Sequence, residues 1–243
     1  DASGPADRLV PVVLDVKGRG VNRYATELTL ANLGESPLAV TLHYTATAGF
    51  GGGSGAVPLT LAAGEQRIVP DAMAFLRAGG LSIPSGGANV AGSLLVRAPV
   101  GTPPGVLVAG ARASTRSSVG DGSFGVFYPG LTLAESADGT AWVHGLQQNA
   151  STRSNVAFVN AGDAGSVTLR VTFFGEDGRL LASPEEHTLG PGEWLQRNEP
   201  LASRGATAGS ARVERVSGAS RFVAYGVLND AATSDGSYLP MTR

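Results

Sequence analysis

Glu27-Leu-Thr-Leu-Ala-Asn-Leu-Gly34 and Asn155-Val-Ala-Phe-Val-Asn-Ala-Gly162 decide the fold. Each is an apolar or alternating run closed by Asn-x-Gly, and apolar alternation bounded by turn residues marks a strand. The two stretches lie 128 residues apart, and Leu61-Ala-Ala-Gly-Glu65 matches Leu189-Gly-Pro-Gly-Glu193 at the same offset. Ala91-Gly-Ser-Leu-Leu-Val96 then matches Ala208-Gly-Ser-Ala-Arg-Val213 at 117, and Asp121-Gly-Ser-Phe124 matches Asp235-Gly-Ser-Tyr238 at 114. The order is kept, so the chain reads as two copies of one unit. The offset falls mainly between Glu65 and Ala91, where the first copy holds the loop-like Gly79-Gly-Leu-Ser-Ile-Pro-Ser-Gly-Gly87; length variation belongs in loops. The expected organisation is an N-terminal arm 1–8, a first copy 9–130, a linker 131–140 and a second copy 141–243.

Outward from those anchors, the first copy contains short runs over 9–16, 24–32, 38–46, 57–61, 66–69, 90–97 and 106–113, bounded by Gly, Pro, Asn and Ser. Seven or so strands in roughly 110 residues is a sandwich signature. The expected fold class is therefore all-β, two tandem Ig-like or fibronectin-like antiparallel β-sandwich repeats. One helical turn interrupts the first: Asp71 caps Ala-Met-Ala-Phe-Leu-Arg77, and Gly79-Gly80 stops it.

Composition agrees and excludes several functions. With 35 Gly and 14 Pro in 243 residues, turns outnumber long helices. No apolar run reaches the roughly 20 residues of a membrane span, and no basic-then-apolar leader opens the chain at Asp1, as expected if a signal peptide has been removed. A net charge of −2, with basic residues scattered singly, argues against nucleic acid, whose phosphates need a dense basic face. The absence of cysteine excludes disulfides, thiolate metal sites and cysteine nucleophiles. Lys17 is the only lysine among 18 basic residues, a usage that suggests a GC-rich bacterial gene.

Asn155-Val-Ala-Phe-Val-Asn-Ala-Gly162, the following Val-Thr-Phe-Phe-Gly-Glu-Asp-Gly-Arg-Leu-Leu, Leu189-Gly-Pro-Gly-Glu193, and Phe222-Val-Ala-Tyr-Gly-Val-Leu-Asn-Asp-Ala-Ala-Thr-Ser-Asp-Gly-Ser-Tyr-Leu-Pro240 together resemble the uncharacterised tandem β-sandwich repeats of secreted proteins from GC-rich bacteria. The resemblance covers nearly all of the second copy and, more loosely, the first. It implies an extracellular or cell-surface location and a role as a surface module, and carries over no catalytic residue.

Candidate chemistry is sparse. His43, His144 and His187 form no metal-ligand spacing, and neither Gly-x-Ser-x-Gly nor His-Glu-x-x-His occurs. Gly120-Asp-Gly-Ser-Phe-Gly125 spells a dinucleotide loop, but a strand-like run follows where a helix is required. The repeated Asp-Gly-Ser reads as a turn. Its alternative is a calcium site with Asp230, Asp235 and Ser237 as hard oxygen ligands, the one cofactor considered. Asn149-Ala-Ser151 matches a glycosylation sequon by pattern alone. Trp142 opens a strand as Leu9 does and is expected in packing. Trp194 corresponds to the polar Gln66 and is expected exposed, as a contact residue.

With no acid, base or nucleophile constellation, the sequence points away from an enzyme. It points to a non-catalytic secreted structural or interaction protein, a cell-surface, adhesive or extracellular-fibre subunit whose partners are itself or another cell-surface protein or glycan. The alternative is a glycan-binding module. For self-association the candidate is the apolar run that contains Leu9, Val10, Val12, Val13 and Leu14, beside a mobile arm 1–7. Pro11 lacks a donor, which places that run at a sheet edge able to pair with a neighbouring subunit.

Overall fold

The computed structural model describes residues 4–18, 22–117 and 120–243. The chain divides into two compact units, Asp1–Glu135 and Ser136–Arg243. In the first, the strands are β1 (Arg8–Lys17), β2 (Arg23–Asn32), β3 (Leu38–Ala46), β4 (Gly55–Leu61), β5 (Gln66–Val69), β6 (Val90–Arg97), β7 (Leu107–Arg116) and β8 (Ser123–Pro129), with helix α1 (Ala72–Ala78) between β5 and β6. In the second they are β9 (Thr140–Gln147), β10 (Thr152–Asn160), β11 (Val167–Gly175), β12 (Glu185–Leu189), β13 (Trp194–Asn198), β14 (Ala208–Ser217), β15 (Phe222–Asp230) and β16 (Gly236–Thr242).

Among the described residues all strand pairings are antiparallel, and the two units share one order within each layer, but the layers join through β1 and β2 in the first unit and through β9 and β16 in the second. In the first, β4-β3-β6-β1 form one layer and β5-β2-β7-β8 the other; in the second, β12-β11-β14-β9 face β13-β10-β15-β16. The protein is thus two tandem β-sandwiches. Each has its own core: Val10, Leu28, Leu42, Tyr44, Leu94 and Ala111 with Met73 and Leu76 of α1 in the first, and Val143, Phe158, Val171, Phe173, Val213 and Phe222 in the second. Burying each large apolar side chain contributes roughly 1.5–3 kcal/mol.

The anchors of the repeat have physical causes. Asn32 and Asn160 are fully buried at the ends of β2 and β10. Asn32 Oδ1 accepts from Gly34 N at 2.9 Å, while Nδ2 donates to the carbonyls of Ser36 at 2.8 Å and Ala62 at 2.9 Å. Asn160 repeats this, accepting from Gly162 N at 2.9 Å and donating to Gly165 O at 3.0 Å and Leu189 O at 3.1 Å. Glu65 and Glu193 close the facing turns, their carboxylates accepting from Ala62 N at 2.6 Å and Gly190 N at 2.8 Å. In both units the clasp satisfies loop backbone that burial would otherwise orphan.

A second duplicated device lies between β1 and β6. Val10 pairs with Leu94 and Val13 with Gly92, so Pro11 and Val12 oppose the single residue Ser93, a β-bulge. Between β9 and β14, Val143 pairs with Ala211 and Leu146 with Gly209, so His144 and Gly145 oppose Ser210. A Cβ on Gly92 would stand 2.1 Å from the Thr45 carbonyl oxygen, and one on Gly209 2.1 Å from that of Phe174. This close backbone approach explains why Ala-Gly-Ser recurs.

Several expectations are corrected. Pro11 stands in the bulge, where a residue also goes without a ladder partner. β1 ends the layer β4-β3-β6-β1 and pairs with β2 only over residues 15–17, while Leu9, Val10, Val12 and Val13 are buried and Leu14 partly so. Leu14 is held besides by Thr26, whose hydroxyl accepts from its amide at 2.8 Å and donates to its carbonyl at 2.9 Å. Of the expected mobile arm, Asp1–Ser3 lie outside the described residues, while Ala6 and Asp7 are buried. Asp7 accepts from Gly4 N and Ala98 N at 2.9 Å each, fastening the segment. The expected linker 131–140 is also docked. Leu131 bridges Leu9 in the first unit and Ala137 bridges Phe222 in the second.

The Asp-Gly-Ser match does not survive as an equivalence. Arg112 pairs with Phe127 and Gly110 with Pro129, whereas Val227 pairs with Tyr238 and Tyr225 with Pro240. The register therefore equates Phe127 with Tyr238, and the two Asp-Gly-Ser turns sit three positions apart. The α1 turn stands where the sequence places it, Asp71 Oδ1 accepting from Ala74 N at 2.8 Å and Gly80 adopting φ 100°.

Candidate functional site

The bulge of β9 sets up the most chemically equipped surface of the second unit. Trp142, two residues ahead of His144 on the face opposite Val143 and the core, pairs in register with Arg212, which pairs with Thr172. Gly145 at φ 79° supplies the turn of the bulge. His144 then lies parallel to the Trp142 ring, with centroids 5.7 Å apart and planes within 5°. On the other side Phe174 of β11 lies 5.4 Å from Trp142, tilted by 36°. The three rings form a row across the outer face of β9, β14 and β11.

Arg212 belongs to the same row. Its guanidinium carbon is 5.5 Å from the Phe174 centroid and 5.9 Å from that of Trp142, within cation–π range. Its Nε lies 3.0 Å from Glu214 Oε2, an ion pair without an aligned hydrogen bond. One position along, Arg170 of β11 pairs with Glu186 of β12 at 2.9 Å. Beneath the row, Thr172 is 2 % exposed and its hydroxyl has no hydrogen-bond partner. His144 is exposed, and Trp142, Phe174 and Arg212 are half-buried. Leu180, bridged to Phe174, extends the surface with a side chain 51 % exposed.

The first unit lacks this constellation. Its residues at the positions of Trp142, Arg212, Thr172 and Phe174 are Leu9, Leu95, His43 and Thr45, by the register of β1 and β3 on β6. His43 is held below the usual histidine range by burial first and by the nearby Arg97 second, with Asp7 opposing.

The residues singled out from the sequence are elsewhere. Trp194 is buried, its indole N–H donating to the Tyr225 hydroxyl at 2.8 Å, and Tyr225 stacks with Tyr238 at 5.4 Å. Its counterpart Gln66 has no such anchor, because Gly110 stands in place of Tyr225. Asp230 Oδ1 accepts from Ala232 N, Thr233 N and the Thr233 hydroxyl at 2.7–3.0 Å, bonds that hold its carboxyl below the usual range. Ser237 lies in the ladder opposite Leu228, and among the described residues no group of three or more His, Asp or Glu side chains is placed to hold a metal. Trp142, read as packing, faces outward, and sequence alternation alone did not say which face is the core. No helix among the described residues is long and apolar enough to cross a membrane.

A different cluster joins the edge strands β12 and β13. Glu185 receives Arg204 and Arg197, the latter at 3.0 Å, and lies 3.3 Å from His187 Nε2, while Arg204 stacks over Phe173 at 4.4 Å. Arg204 also donates to Pro200 O at 2.6 Å. With the Glu185 carboxylate shared between two guanidiniums and Arg204 packed on the core, this cluster fastens the open side of the sandwich.

No protein-family model matches the chain, and no curated protein sequence matches it. Among solved structures, it is similar to the N-terminal CBM22-1-CBM22-2 tandem domain from Paenibacillus barcinonensis Xyn10C, at 12% identity over 98% of this chain and 94% of that one, with a TM-score of 0.21. A TM-score of that size carries no inference about site or ligand.

Proposed function

We propose that the protein is a non-catalytic extracellular binding protein whose second unit engages a glycan through the outer face of β9, β14 and β11. The observation that carries this reading is the row His144, Trp142 and Phe174 with Arg212 between the rings. A pyranose offers a face of C–H bonds to aromatic rings and a rim of hydroxyls to polar groups, the combination found here. Affinity electrophoresis of the whole chain through gels cast with soluble polysaccharides tests it. Retardation by at least one polysaccharide is expected, lost in Trp142→Ala with the melting temperature little changed. Migration unaffected by every polysaccharide tested would overturn the reading.

A second reading, an adhesive or extracellular-fibre subunit, rests on an apolar row in the first unit. Ile68, Val108 and Phe127, 52 %, 42 % and 53 % exposed, share the outer face of β5, β7 and β8, with the Phe127 ring lying over Gly110. On β1 the side chains of Leu9, Val10, Val12 and Val13 are buried, which leaves its backbone as the route to a neighbour, and two terminal strands are blunted, β4 by Pro58 and β12 by Glu185 and Glu186. An adhesive subunit working through this row would show concentration-dependent association by light scattering, abolished by Phe127→Ser.

A further inference from the structure

We infer that the glycan bound at the Trp142 row is uncharged, an inference that rests on the glycan reading above. Selection between acidic and uncharged sugars depends on whether a site holds an unmatched cation. Arg212 has Glu214 at 3.0 Å, and Arg170 has Glu186 at 2.9 Å. The remaining neighbours in the row, Thr140, Thr172, Ser210 and Thr242, are uncharged. A carboxylate or sulfate arriving beside Arg212 meets Glu214 at nearly the same distance, so attraction and repulsion largely cancel. A hydroxyl gains from both, accepting from the guanidinium and donating to the carboxylate.

The Thr172 hydroxyl adds an unused polar group to the site. It is buried and unpartnered directly across from Arg212. An unmade hydrogen bond of this kind is costly, and a small movement of Arg212 toward a ligand would give the hydroxyl a partner. That partner can be a sugar hydroxyl or a water held by one.

Isothermal titration of the whole chain at pH 7.5, above the ordinary histidine range, tests the charge class. The probes are cellohexaose and chitohexaose as uncharged sugars, and hexagalacturonate and a heparin hexasaccharide as anionic ones, each in low and high sodium chloride. At least one uncharged sugar is expected to bind, with an affinity that changes less than about threefold between the two salts. Trp142→Ala should weaken it about tenfold or more, while Trp142→Phe, which keeps a ring, retains most of it. Glu214→Gln removes the compensating charge and should admit the anionic probes. Preferential binding of an anionic probe that weakens with salt and with Trp142→Ala would overturn the inference and leave the glycan site standing. Binding by none of the four would count against the glycan reading itself, and the inference with it.

Discussion

At the bulge of β1 on β6 the first unit carries Pro11 and Val12; at the equivalent bulge of β9 on β14 the second carries His144 and Gly145. The backbone device is the same, down to a glycine facing a carbonyl oxygen on the neighbouring strand. What it presents differs. In the first unit the outer face beside the bulge holds Leu9, Leu95, His43 and Thr45, and in the second Trp142, Arg212, Thr172 and Phe174. Duplicated features are those that backbone geometry and the shared core demand, whereas positions on the face away from that core were free to diverge. The difference is why the proposed glycan site falls in the second unit.

The largest effects should come from the shared glycines. Gly92→Val and Gly209→Val each place a Cβ 2.1 Å from a backbone oxygen in mid-sheet, so each should unfold its own unit and leave the other folded. Calorimetry of the whole chain would show the loss of one transition. A variant that melts like the parent would break the equivalence of the two bulges.

Next come the clasps. Asn160→Ala strips partners from Gly162 N, Gly165 O and Leu189 O, and Asn32→Ala does the same to Gly34 N, Ser36 O and Ala62 O. Each should cost its unit about 3 kcal/mol, from several buried groups left unsatisfied at roughly 1–3 kcal/mol each with partial relief by water. Urea titration measures it. Clearly unequal losses would show that the clasp matters in one unit only.

A smaller, pH-dependent difference separates Tyr44 from Phe173, which occupies the equivalent position on β11. Burial pushes the Tyr44 hydroxyl up to about 12, partly offset by Arg77, and that hydroxyl has no hydrogen-bond partner. Because the folded state holds its proton more tightly than the unfolded state, this contribution is complete below about pH 10 and is lost as pH rises towards 12. The loss is at most roughly 2–3 kcal/mol. Tyr44→Phe should abolish that part of the alkaline sensitivity of the first unit and leave its stability at pH 7 unchanged or higher. An identical alkaline profile in the variant would contradict the assignment.

The duplicated architecture was legible because Asn-x-Gly, Gly-Glu and Ala-Gly-Ser are demanded by local backbone requirements that leave little choice of residue. The candidate site was not. Pro11 hid the bulge because edges and bulges both tolerate a missing donor, and only the register on the partner strand reveals the extra residue. Trp194 misled because its surroundings depend on Tyr225 across the sheet, a residue absent from the first unit at Gly110. Asp-Gly-Ser suits any hairpin tip and so aligned two turns that the sheet register keeps apart. The Trp142 row brings together residues from three strands, a grouping that requires the register of β9, β14 and β11.

The central claim, that divergence of one sheet face created a binding surface in the second unit alone, is tested most directly by mapping an uncharged oligosaccharide onto the isotope-labelled chain by NMR. Cellohexaose and chitohexaose are the first ligands to titrate. The account predicts saturable shifts in the Trp142 indole and in Phe174, His144 and Arg212, with Leu9, His43 and Leu95 unmoved. Shifts centred on the first unit, or none in either, would contradict it.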